Sequence, residues 1–129
     1  FGVRYLSPVD PEVPPTWPVK GVVFGPNKRL FVNLILSTER SLNVFFLVNT
    51  TCPCTFVSPT VLAALNPDDK DYTGPCDIHG EEDHITKSPQ SSHFADLNVL
   101  GRKFFQRTHA RLLVDYPSQT CTLLKREQD

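Results

Sequence analysis

The run Val44-Phe45-Phe46-Leu47-Val48 is apolar at all five positions. A strand with one face in water alternates apolar and polar residues; one that does not alternate is covered on both faces. The chain must therefore build a closed body around this segment. Its 129 residues suffice for one such core and not for two.

Neighbouring segments supply that body. Gly21 to Phe24 reads as a short strand closed by Gly25-Pro26-Asn27, and Arg29 to Ser37 as a longer, largely apolar strand. Thr38 to Asn43 is polar and reads as a turn. Ser58 can cap a helix that starts at Pro59, shows Val61, Leu62 and Leu65 on one face and ends at Asn66-Pro67. Residues 66–92 are polar, with Ile78 to Ile85 as a hairpin around a charged tip. Phe94 to Leu100 reads as a strand ended by Gly101, and Arg102 to Arg107 as a helical turn. Arg111 to Tyr116 and Thr120 to Leu124 form a hairpin through Pro117-Ser118-Gln119. No internal repeat is visible. Short strands, frequent turns and one or two short helices predict an all-β barrel or sandwich.

Before this domain, Pro8, Pro11, Pro14, Pro15 and Pro18 crowd the first eighteen residues. Proline fixes φ and removes a donor, so residues 1–18 are expected to be an extended arm, either a linker or a strap. The domain is then 19–124, with a charged tail at 125–129.

A net charge of −1 creates no global field for nucleic acid or an anionic membrane. Arg107, Arg111, Lys125 and Arg126 read as solvated charge, because acids intervene and aromatics do not. No apolar run approaches the ~20 residues of a spanning helix, and no signal peptide is visible. The absence of methionine leads us to expect a processed piece or an excised domain of something longer. Cys52 and Cys54 are too close to bridge each other easily. We expect Cys52, Cys54, Cys76 and Cys121 to be thiols in an intracellular protein, cytoplasmic or nuclear.

Phe45 to Ser58 (FFLVNTTCPCTFVS) resembles the active-site strand and loop of the retropepsin-like aspartic proteases. There an apolar strand runs into Asp-Thr-Gly or Asp-Ser-Gly, followed by a small residue, a Thr or Ser, an apolar residue and a short helix. Thr50, Thr55 and the Pro59–Leu65 helix fall in place. Leu97-Asn98-Val99-Leu100-Gly101 resembles the family's second apolar-apolar-Gly segment, and the closing hairpin its C-terminal strands. The resemblance covers roughly residues 28 to 124 and implies a single-lobe acid-protease barrel. It further implies a homodimer whose cleft holds an extended peptide as an added strand, with no cofactor and no metal. The cleft residues it implies are Cys52, Thr55, Gly80 as the tip of a flap, Val99, Leu100 and Gly101.

The chain departs from that pattern where the chemistry sits. Asn49 holds the place of the catalytic Asp, and Thr51 that of the Gly. The family's site resembles two carboxylates, one per subunit, sharing a proton. A carboxamide has nearly the same shape but no proton to exchange near neutral pH. A β-branched residue resists positive φ, so the loop at Thr51 is expected to differ. The expectation is an inactive domain, a pseudoprotease, serving dimerisation or peptide or protein binding. It would lie in a larger polyprotein or descend from a retroelement product. The alternative is a true aspartic endopeptidase inactivated by Asp-to-Asn replacement at residue 49. A third reading is a metal-stabilised or thiol-dependent binding module: Cys52, Cys54, Cys76 and His79 as zinc ligands, or Cys52 or Cys54 as a nucleophile beside His79, His84, His93 or His109. Asn49-Thr50-Thr51 also spells a glycosylation sequon. Asp68, Asp69, Asp71, Asp96 and Asp115 lie in turns, loops or strand edges.

Overall fold

A computed structural model describes residues 2–89 and 97–125. The elements in chain order are β1 (Val19–Phe24), β2 (Arg29–Ser37), β3 (Ser41–Val48), β4 (Thr55–Val57), α1 (Pro59–Leu65), β5 (Gly74–Ile78), β6 (Glu81–Lys87), β7 (Val99–Leu100), α2 (Arg102–Thr108), β8 (Arg111–Asp115) and β9 (Thr120–Leu124). The expectation of an all-β chain with two short helices holds. Strand order runs β3-β7-β4-β6-β5-β2, and β2 pairs back onto β3, so six strands close a barrel. β1, β9 and β8 continue outward from β2 as a wing.

The apolar run is central, as expected. Val44 and Phe46 are fully buried on β3, opposite Leu34 and Val32 on β2. Leu62 and Leu65 of α1 and Phe104 of α2 close the core. The turn before β3 is shorter than the polar Thr38–Asn43 stretch suggested. Leu42 and Asn43 are buried in the strand, because Asn43 exchanges hydrogen bonds with the arm.

A repeat absent from the residues is present in the backbone. β2-β3-loop-β4-α1 and β5-β6-loop-β7-α2 have the same order, and each half completes the other. β3 pairs in parallel with β7, β6 pairs in parallel with β4, and β4 meets β7 antiparallel at Phe56 and Val99. Asn49 N–H, just past β3, donates to Leu100 O at 3.0 Å; Ser88 N–H, just past β6, donates to Val57 O at 2.9 Å. Side chains repeat the exchange: Gly101 N–H donates to Thr55 Oγ1 at 3.1 Å and Ser58 N–H to Asn98 Oδ1 at 2.9 Å.

Two expectations are corrected here. The strand ending at Leu100 spans only Val99–Leu100 among the described residues, and Phe94 to Asp96 lie outside them. The hairpin turns at His79 and Gly80, both at positive φ (52° and 88°). That two-residue turn matches the twist of the strands, and it puts Glu81, Glu82 and Asp83 on β6 rather than at a tip.

The arm is a strap. Leu6 N–H donates to Asn43 O, Asn43 N–H to Ser7 O and Val9 N–H to Ser41 O, which covers the early edge of β3.

Candidate functional site

β3 leaves the barrel at Asn49, which is half-buried, and the chain turns at once. Cys52 N–H donates to Asn49 O at 3.1 Å. The Asn49 side-chain Oδ1 accepts from Thr51 N–H at 3.1 Å and from Thr51 Oγ1 at 2.5 Å. Because the backbone N–H can only donate, it fixes the orientation of the amide. Oδ1 is thus occupied, and among the described residues Nδ2 meets no acceptor, which leaves its hydrogens for whatever approaches. Thr50 and Thr51 are exposed.

The far end of this loop is clamped by α2. Arg102 N–H donates to Cys52 O at 2.7 Å and Lys103 N–H to Pro53 O at 3.0 Å. Loop carbonyls thereby satisfy helix N-terminal donors that Gly101, having no side chain, cannot serve. The approach is close enough to require glycine: a Cβ on Gly101 would lie 2.2 Å from Cys54 O.

The residues expected to act together divide into three groups. Asn49, Thr50 and Thr51 form one open turn. Cys52, Thr55, Val99, Leu100 and Gly101 are adjacent to it but buried, so they form its base rather than walls a ligand could touch. Gly80 does not belong to the site. Ile35, which accepts from His79 N–H, pairs with Asn43, six residues before Asn49 on β3. At strand rise this places Gly80 about 20 Å away. The β5–β6 turn therefore lies at the opposite end of the barrel and is no flap over Asn49. Thr51 adopts no positive φ, in keeping with its β-branched side chain, and its hydroxyl closes onto Asn49.

Carboxylates that the structure fixes are committed elsewhere. Asp83 is buried and pairs with Arg107 at 3.2 Å, Asp77 accepts from Gly80 N–H, and Asp71 pairs with Lys87. Asp96 and His93 lie outside the described residues. All four cysteines are free. Burial pushes the thiols of Cys52 and Cys121 up, and that of Cys76 up to about 12, which opposes thiolate chemistry. Among the described residues no group of three or more His, Cys, Asp or Glu side chains gathers as metal ligands. No helix there is long and apolar enough to cross a membrane.

Sequence reasoning overlooked Asn98. Besides accepting from Ser58, its Nδ2 donates to Phe45 O at 3.1 Å and to Tyr5 Oη at 2.6 Å. It ties the arm, β3 and α1 together, and it lines a recess of about 310 Å³ with Tyr5, Phe31, Phe45 and Leu97. Nothing local distinguishes it from an ordinary strand residue. Its partners are dozens of positions away.

Comparison with known proteins yields no match to a family model, a curated protein or a solved structure.

Proposed function

We propose that this chain is a catalytically inactive, retropepsin-like domain that pairs with a second copy and holds an extended peptide at the Asn49 turn. The observation that carries the reading is the placement of Asn49. It sits where β3 leaves the barrel, bonded to the end of β7, and the sequence resemblance sets the family's acid at this position. General acid–base catalysis needs a group that gives and takes a proton. The free Nδ2 hydrogens donate to a peptide carbonyl but cannot activate water.

The wing supports pairing. β8 is the outermost strand of the sheet, and Leu113 at its centre is 54% exposed. Run antiparallel to itself about Leu113, β8 sets Leu113 against Leu113 of the partner subunit on the axis, and a two-fold uses the same patch twice.

Sedimentation equilibrium is expected to give twice the monomer mass, and Leu113→Lys, which puts two ammonium groups on the axis, to restore the monomer. Peptide libraries incubated from mildly acidic to neutral pH are expected to remain uncut. Cleavage by the native chain would overturn the inactivity. A strictly monomeric mass at high concentration would overturn the pairing.

A further inference from the structure

At the end of the barrel remote from Asn49, one histidine joins three segments. His79 is 5% exposed. Its Nδ1 accepts from the Ile35 backbone N–H at 3.1 Å, and its Nε2 lies 2.8 Å from the carbonyl oxygen of Thr16 in the arm. Ile35 N–H can only donate and Thr16 C=O can only accept. The ring is therefore neutral, with its proton on Nε2. Trp17 closes the slot: its Nε1–H donates to His79 O at 3.1 Å, and its ring meets the imidazole edge-on at 5.3 Å.

We propose that His79 is an acid-sensitive latch that holds the arm closed over the end of the barrel. A proton added at Nδ1 would face the Ile35 N–H, donor against donor, and leave an imidazolium in a slot shut from water. The ring must then leave the slot, which removes the partner of Thr16 and the packing surface of Trp17. Beneath the arm lies a cavity of about 610 Å³, whose walls include Pro11, Val13, Pro15, Ile35, Asp77 and Gly80. Release opens it.

The surrounding charges do not rescue the imidazolium. The arm offers only the Thr16 carbonyl, which favours the charged ring, and β2 only Ile35. On β5, Asp77 also favours it, but its Oδ1 accepts from Gly80 N–H at 2.7 Å. Beyond β9, Lys125 opposes it from 5.4 Å above the Trp17 ring, 3.3 Å from Glu81. Burial outweighs these contributions and holds the His79 pKa below its ordinary value. With the folded-state value depressed, the latch contributes fully above the ordinary histidine range. Its contribution is lost as pH falls from that range through the folded-state value.

The chain has one tryptophan, Trp17, which reports the latch directly. Its emission is to be titrated from about pH 8 to about pH 4.5 beside far-ultraviolet circular dichroism. In the native chain a one-proton red shift is expected while the dichroism persists, and the arm becomes open to protease over the same range. His79→Asn keeps an acceptor for Ile35, tolerates the left-handed backbone and cannot be protonated, so the step should vanish. His84→Gln should retain it. A step that survives His79→Asn overturns the latch, as does emission that stays flat or shifts only as the barrel unfolds. Should His79→Asn not fold, nitrogen NMR of the native ring decides. An Nε2–H tautomer persisting after the arm has loosened is equally fatal.

Discussion

In the first half of the barrel the outgoing strand ends at half-buried Asn49, and the loop beyond it opens to solvent at Thr50 and Thr51. In the second half the matching strand ends at Ser88, which is only 2% exposed. Helix starts differ in the opposite sense. Ser58 caps α1 with its own Oγ, at 3.2 Å from Val61 N–H, whereas Gly101 caps α2 with nothing and leaves its donors to the carbonyls of Cys52 and Pro53. The same backbone exchange thus serves two purposes. One half presents a turn, and the other gives up its side chains so that the turn can be held. The bonds that hold the far end of the Asn49 loop therefore come from the Gly101 half.

That asymmetry can be broken by substitution. Gly101→Ala forces a methyl group against the Cys54 carbonyl, a backbone atom that cannot swing aside. It is expected to cost about 3 kcal/mol or more in denaturant unfolding. Asn98→Ala removes the acceptor for Ser58 and the donor to Phe45 O together, for a loss of about 2–3 kcal/mol. Its counterpart Thr55→Val leaves one buried N–H unmatched, that of Gly101, for about 1–2 kcal/mol. Equal losses for these two would mean that the halves are energetically equivalent. Ser58→Ala deletes a side-chain cap and should cost about 1 kcal/mol. Asn49→Ala should change stability by about 0.5 kcal/mol or less, since among the described residues its side chain bonds only to exposed Thr51. A large loss there would mean that the turn is structural and presents nothing.

Much of the scaffold is legible from local pattern. The unbroken apolar run places β3 in the core, Ser58-Pro59 starts α1 where expected, and Arg111 to Leu124 folds back as a hairpin, because each signal lies within a few residues of its effect. Long-range features escape. β7 is two residues long and exists as a strand only because β3 and β4 flank it. The duplicated half-barrel escapes because β-pairing requires apolar alternation and not particular residues, so Thr55 and Asn98 perform one task with different chemistry. Gly80 is misplaced because glycine between strands marks a turn without saying at which end of the barrel the turn lies. Asn49 and Thr51 are singled out as a loop after an apolar strand, but the opening of that loop to solvent and the burial of Val99 and Leu100 beneath it follow from closure.

Closure of the ring through β7 also bears on how the barrel is assembled. The hairpins β2–β3, β5–β6 and β8–β9 bring together residues near in sequence, whereas Leu47 must find Val99 and Val48 must find Leu100 across half the chain. Each such meeting restricts a long loop before any contact rewards it. The seam that holds Asn49 is therefore expected to close after the hairpins, and a β3–β7 contact formed early in folding kinetics would contradict this.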